Sequence, residues 1–354
     1  MSTAKADGVL RIERAEGGKE LSVKSKEVHL AERPHGEPGT RNFAFREVDV
    51  PSPGSGQVLV RNHFMSVDPY MRGRMNEGES YIPPFGLDEP MTGTATGEVV
   101  ESNTSEVPVG TIVRHFQGWR EYALVDATAV ETIDPNLAPE SSYLGVLGLT
   151  GLTAYVALKE IAGVRDGDVV FISGAAGAVG SVSAGIARAL GASRVVGSAG
   201  GEEKVRRLTE EFGYDAGFDY RAGDVSGQLR DVAPDGIDVY LDNVGGEHLE
   251  AAIARMRFHG RIAAVGAISQ YNATEPAPGP RNLVKVVSHS LTMRGFTVGN
   301  YQHLGGEFAP FAAKLLREEA IPNRETIVEG IDNAVEAFLS MMRGGNTGKM
   351  IVKL

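Results

Sequence analysis

The chain of 354 residues contains no cysteine. Disulfides and thiolate metal ligands are therefore excluded together, and with them any cysteine-held zinc or iron–sulfur centre. Positive charge is also in deficit: 35 Lys and Arg stand against 46 Asp and Glu, a formal net charge of −11. A field of that sign disfavours nucleic acid as the main partner and leaves room only for a local basic patch around a phosphate. Long apolar runs are missing. The most apolar stretch, Tyr143 to Leu158, is interrupted by Gly and Thr and is too short to span a bilayer. The opening MSTAKADGVLRIERAEGG is polar and mixed in charge, without a signal-peptide pattern, so a cytoplasmic location is expected. No G-x-S-x-G elbow, no GxxxxGK[ST] loop and no HExxH occurs. His63, His115, His248, His259 and His289 are scattered without ligand spacing, so they read as surface or packing residues and no metal is expected.

What remains is ordinary for a globular protein, with 42% apolar and 23% charged residues. The length suggests roughly two domains. Residues 1 to about 40 are polar, with room for one early strand. From Phe43 to about Asp126, short β-like runs (QVLVRNHFMSV, TATGEVVES, GTIVRHF, REYALVD) are cut by Gly54, Gly56, Gly93, Gly97 and Gly110. That spacing predicts a small β-rich barrel or sandwich. After Ala138 the pattern changes to alternation. Strands are predicted at 169–172, 194–198, 216–219, 237–241, 260–265 and 290–298, with helices at 179–190, 201–212, 224–232, 246–257 and 281–288 between them. Such alternation predicts a doubly wound parallel sheet, an α/β fold. The tail reads helix (306–319), strand (325–330), helix (332–345) and closing strand (348–354), and is expected to return to the first domain.

The stretch DVVFISGAAGAVGSVSAGIARAL, Asp168 to Leu190, carries the most chemical information. A short strand runs into a turn with Gly174, Gly177 and Gly180, and a small-residue helix follows. A dinucleotide site needs this order, because the backbone must approach a pyrophosphate and present a helix N-terminus to it. The spacing GxxGxxG also suits a Gly/Ala-rich turn where a helix packs closely on a sheet. The second strand ends in Gly197-Ser198-Ala199-Gly200 with no acid for the ribose hydroxyls, and Lys204 follows. Small residues plus a cation leave room for a ribose phosphate. Lys204 could equally be a solvated helix lysine beside Glu202 and Glu203, and Tyr220 a rim tyrosine rather than an adenine or phosphate contact. Asp242-Asn243-Val244-Gly245-Gly246 falls at a strand's carboxyl end, where Asn243 could meet ribose or diphosphate or simply belong to a capped strand-to-helix turn. Gly266-Ala267-Ile268-Ser269-Gln270-Tyr271-Asn272 ends the next strand at the same edge. A phenol is a donor at neutral pH and can stabilise a forming oxyanion. Tyr271 and, from the β-rich part, Tyr70 are candidates; each could also be a half-buried wall residue.

VDPYMRG (67–73), GLTAY (151–155), GAAGAVGS (174–181), EKVRRL (203–208), DNVGGE (242–247), GAISQYN (266–272), GF (295–296) and GNTGKMIVK (345–353) occur in consistent order over nearly the whole chain. Together they resemble the zinc-free branch of the medium-chain dehydrogenase/reductases, most closely the group of prostaglandin reductases, plant double-bond reductases and bacterial curcumin reductases. The resemblance implies a GroES-like substrate domain, residues 1–140 completed by 312–354, with a Rossmann NADP-binding domain, 141–311, inserted, and a homodimer. By motif position it assigns NADP(H) contacts to Ala178, Val179, Gly180, Ser181, Lys204, Tyr220, Asn243, Val265, Gly266, Ala267, Ile268, Ser269, Gln270, Phe296, Thr297, Val298 and Asn346. The N-terminal forty residues are longer and more polar than in the group, and the loop Asn272 to Pro280 varies in kind, so the physiological substrate stays open. The expected reaction is NADPH-dependent reduction of a carbon–carbon double bond conjugated to a carbonyl, with Tyr271, aided by Tyr70 or a ribose hydroxyl, donating to the carbonyl oxygen. Zinc-free quinone reduction, alcohol oxidation, and a non-catalytic NADP-binding sensor are the alternatives.

Overall fold

The computed structural model describes residues 22–354; the polar opening segment lies outside the described residues. An antiparallel pair, Ser22–Leu30 with Phe43–Pro51, precedes a seven-stranded sheet. The long strand Gln57–Ser66 is the hub of that sheet. It pairs antiparallel with Ala95–Ser102, Tyr122–Asp126 and, from the far end of the sequence, Lys349–Lys353. Glu325–Glu329 pairs parallel to that last strand and forms the edge. Alternating β-branched residues explain the inner face: Val58, Val60, Val99, Val113 and Val125 form one buried cluster. A second cluster gathers Met65, Met71, Met75, Met91 and Trp119 under the helix Ala334–Met342, where Phe338 meets the single tryptophan edge-on at 6.3 Å.

The second sheet has six strands, all parallel, in the order Ala216–Asp219, Arg194–Ala199, Val169–Ile172, Ile237–Asp242, Met256–Ala264, Thr292–Gly295. Numbered along the chain this is 3-2-1-4-5-6, the dinucleotide-binding winding. Strand periodicity divides its residues between two cores. Val170 and Ile172 face helices Gly180–Ala189 and Gly305–Arg317, whereas Phe171 points the other way and stacks on Tyr240 at 4.9 Å. The mixed α/β architecture is the one expected.

Local differences have physical reasons. The last strand covers only Thr292–Gly295, because Phe296 to Val298 leave the sheet and a 3-10 stretch begins at Val298. The preceding helix is a single turn, Val284–Ser288. Phe308, Ala312, Leu315 and Ile321 pack into the parallel-sheet core, so the chain crosses back to the antiparallel sheet after Ile321.

Candidate active site

A cleft of about 790 Å³ runs between the two sheets. Its floor is the carboxyl edge of the parallel sheet, where topology brings several strand ends together. At the centre, Gly174 adopts φ +62° and Gly177 donates to its carbonyl at 3.0 Å, turning the chain into the helix that begins at Gly180. A Cβ on Gly180 would lie 2.5 Å from the Gly174 oxygen, so only glycine lets the helix sit this close to the turn. Ala178, Val179 and Gly180 line the cleft and present the helix N-terminus, a natural anion cradle. Ser181 is buried, and its hydroxyl turns back to the Ala178 carbonyl at 3.3 Å. Gly348 N–H donates to Ala176 O at 2.8 Å, which ties the turn to the C-terminal strand.

The second strand ends at Ala199 with Gly200 beside it, and both line the cleft together with Lys204 and Tyr220. Glu203 makes no ion pair with Lys204; its carboxylate pairs with Arg207 at 2.8 Å. The Lys204 ammonium donates to the Gly344 carbonyl at 2.7 Å, while Arg221 donates to Arg343 O at 3.3 Å. Burial, and then the neighbouring Arg221 guanidinium, lower the Lys204 pKa from its ordinary value. Two cations held together by carbonyl acceptors form a basic pocket suited to a phosphate. Tyr220 closes it, its hydroxyl 2.8 Å from where a Cβ on Gly200 would lie, and the edge of the buried His248 ring supports it at 5.3 Å.

Asp242 takes the capping role at its strand end. Its buried Oδ1 accepts from the amides of Gly245 at 2.7 Å and Val244 at 3.0 Å and from the Tyr240 hydroxyl at 2.7 Å, and burial still raises its pKa. Asn243 lines the cleft, with its amide nitrogen donating to Ser173 O at 2.7 Å.

At the opposite end Val265, Gly266, Ile268, Ser269, Tyr271, Phe296, Thr297 and Val298 face Asp68, Pro69, Tyr70 and Lys349 from the β-rich side, and Asn346 also lines the cleft. Ala267 and Gln270 belong to the same loop but do not line it. The Tyr271 hydroxyl accepts from Ala267 N–H at 3.4 Å, and a Cβ on Gly266 would stand 2.9 Å from it. Burial raises the Tyr271 phenol. Burial, with the Asp68 carboxylate, raises the Tyr70 phenol well above its usual value, and the Tyr70 hydroxyl is buried without a hydrogen-bond partner. Both side chains are therefore protonated donors, one of them unsatisfied.

Sequence reasoning missed three residues here. Lys349, buried, donates to Asp68 Oδ1 at 2.9 Å, Val67 O at 2.8 Å and Met350 O at 3.0 Å; it stands within the GNTGKMIVK run but carried no signal of its own. Arg221 follows Tyr220 without a motif of its own. Tyr81 adds a third phenol to the lining, 68% exposed at the cleft's mouth. Among the described residues no group of His, Asp or Glu is placed to hold a metal ion.

Residues 26–133 match the family model of an N-terminal oxidoreductase domain, and residues 178–316 match that of the zinc-binding dehydrogenases. An NADPH-dependent curcumin reductase of Escherichia coli (strain K12) is 38% identical over 92% of this chain and 95% of its own length. An NADP+-dependent 2-alkenal reductase of Nicotiana tabacum is 36% identical over 93% of this chain and 97% of its own. The crystal structure of CurA from Vibrio vulnificus in complex with NADPH superposes with a TM-score of 0.88 at 38% identity, covering 93% of this chain and 98% of that one. The protein thus belongs to the medium-chain dehydrogenase/reductases, in the zinc-free group of the curcumin, alkenal and prostaglandin reductases.

Proposed function

We propose that this chain reduces the carbon–carbon double bond of α,β-unsaturated ketones and aldehydes with NADPH. The single observation that carries the chemistry is the pair of protonated phenols, Tyr271 and Tyr70, on facing walls at the carboxyl edge of the parallel sheet. The cofactor fits the rest of the cleft. Lys204, Tyr220 and Arg221 would hold the adenosine phosphate, and the helix start at Ala178, Val179, Gly180 and the Ser181 main chain the diphosphate. Asn243 would take a ribose, and the segments Val265 to Gln270 and Phe296 to Val298, with Asn346, the nicotinamide end. When bound, the reduced nicotinamide supplies a hydride to the β-carbon of the substrate. Charge then gathers on the carbonyl oxygen, a Tyr271 hydrogen bond, seconded by Tyr70, stabilises it more in the transition state than in the ground state, and the enolate takes a proton at its α-carbon from solvent to complete the reduction. Apolar lining from Ile268, Phe296 and Val298 keeps water from that oxygen and strengthens the bond.

The working unit in this reading is a cytoplasmic homodimer, each copy a GroES-like domain (1–140, completed by the returning tail) with an inserted Rossmann domain. The edge strand Thr292–Gly295 supports the dimer, since its four residues are exposed and unpaired on one side, near the exposed Phe258, Val284 and Val287. A panel of enones, quinones and secondary alcohols, followed by NADPH absorbance, tests the reaction. Oxidation of NADPH with enones and enals is expected. Activity confined to quinones, or to alcohols with NADP+, overturns the assignment, and tight NADPH binding without turnover on any acceptor would mark a sensor.

A further inference from the structure

The two phenols stand on segments far apart in sequence, and one buried guanidinium joins those segments. Arg72, two residues after Tyr70, is 2% exposed. Its Nε donates to Asn272 Oδ1 at 3.0 Å, Nη1 to Asn76 Oδ1 at 2.7 Å and Nη2 to the Gly36 carbonyl at 2.7 Å. Asn272 directly follows Tyr271. Every acceptor of this fork is neutral, and burial lowers the Arg72 pKa. A desolvated cation without a carboxylate partner is expensive, so simple stabilisation does not account for it. What the fork supplies is geometry: three donors in one rigid plane tie Asn76, just beyond the end of Arg72's own helix, to two distant segments. The Gly36 segment also approaches the Asn272 loop, since a Cβ on Gly36 would lie 3.3 Å from Thr274 Cγ2.

We propose that Arg72 and Asn272 are positioning residues for the reaction: their hydrogen bond clamps the loop bearing Tyr271 against the helix bearing Tyr70 and so fixes the spacing of the two donors around the substrate carbonyl. The proposal rests on the roles given above to Tyr271 and Tyr70. Neither clamp residue lines the cleft, so both act through the phenols they hold.

Asn272→Leu keeps the side chain's size and removes the acceptor; Asn272→Asp keeps an acceptor and adds charge. Each is compared with the wild type, NADPH-loaded, for steady-state kinetics on an enone, NADPH affinity by fluorescence, and amide hydrogen exchange in residues 268–274. For Asn272→Leu, faster exchange in that loop and a loss of about 10- to 100-fold in kcat/KM are expected, the scale of a small misplacement of reacting groups. NADPH affinity should not change, and Asn272→Asp should recover most of the lost activity. A merely structural contact would lower thermal stability in both variants alike without that recovery. Unchanged exchange in Asn272→Leu overturns the clamp, and so does faster exchange with unchanged kcat/KM. In the latter case Tyr271→Phe decides where the failure lies: full turnover there sinks the phenol reading itself, and lost turnover sinks the clamp alone.

Discussion

The two ends of the cleft are built by different means. The floor of the phosphate end is local: Gly174, Ala176 to Gly180, Ala199, Gly200, Lys204 and Tyr220 follow successive strands of one sheet, with the Arg343 and Gly344 carbonyls reaching in from the tail. Parallel winding delivers those strand ends to one edge, so the anion site follows from topology plus small residues and cations. The phenol end is assembled from Asp68 to Tyr70, Tyr271 and Lys349, segments far apart in the chain, and its buried cation Lys349 is held by Asp68 from 281 residues away. One end tolerates the loss of a contact as a weaker grip on a ligand. The other places buried charge where a missing partner damages fold and reaction together.

Lys349→Met breaks the comparison most severely. Asp68 and Lys349 are only 8% and 4% exposed in their side chains, and removing the ammonium strands a buried carboxylate. Loss of one partner of such a pair typically costs about 3–5 kcal/mol. Urea denaturation should show that loss, with part of it recovered when Asp68→Asn is added. A change below about 1 kcal/mol would mean that the pair is not a structural tie.

Tyr271→Phe should leave the fold and NADPH affinity intact and lower turnover on an enone by about 10²–10³, the usual effect of removing one oxyanion donor. Equal turnover in the variant and the wild type would remove Tyr271 from the mechanism and leave Tyr70 as the candidate.

How much of each end could be read in advance follows from the same contrast. Period-two strands, glycines at strand ends and a lysine in a helix's first turn are local signals, and the residues they single out, Lys204 and Tyr220 among them, line one cleft. Tyr271 was legible for the same reason, lying just beyond a strand of that sheet. Lys349 and Arg72 were not. In GKMIVKL a lysine at the start of an alternating strand reads as solvent-facing, and only pairing with Gln57–Ser66 carries it to Asp68. In PYMRGRM nothing local marks Arg72, whose partner Asn272 comes from 200 residues away. The last sheet strand was read too long because Phe296 to Val298 are as β-prone as the residues before them, and lining the cleft draws them out of the ladder.

Lys204→Ala probes the phosphate end. Losing one charge-assisted contact to a phosphate is worth about 1.5–3 kcal/mol, or roughly 10- to 100-fold in NADPH affinity. NADH affinity should not move, so the preference between cofactors narrows while kcat at saturation is retained. Arg221→Ala should act in the same direction. An equal loss for NADPH and NADH would place Lys204 away from the adenosine phosphate.

The smallest effect concerns two buried histidines, one in the β-rich domain and one beside Tyr220. In the first, burial and then Arg120 push His115 down to about 3; Gln117 N–H already donates to its Nδ1 at 3.0 Å, so the neutral ring is the one that fits. Beside the phosphate end, burial pushes His248 down to about 4, and its Nε2 has no hydrogen-bond partner. Both folded-state values lie below the ordinary 6.5, so each ring binds its proton more readily in the unfolded chain. Stability from both is complete above about pH 6.5 and falls as the pH drops toward the folded-state values. For His248 the loss between pH 7 and pH 5 is about 2 kcal/mol. His248→Phe keeps a ring edge against Tyr220 and removes the titration, so its denaturation free energy should fall by about 2 kcal/mol less over that interval, with the His115 share left in place. Parallel curves for the variant and the wild type would mean that His248 is solvated enough to charge within the fold, and would loosen the packing argument for Tyr220 at the rim of the phosphate pocket.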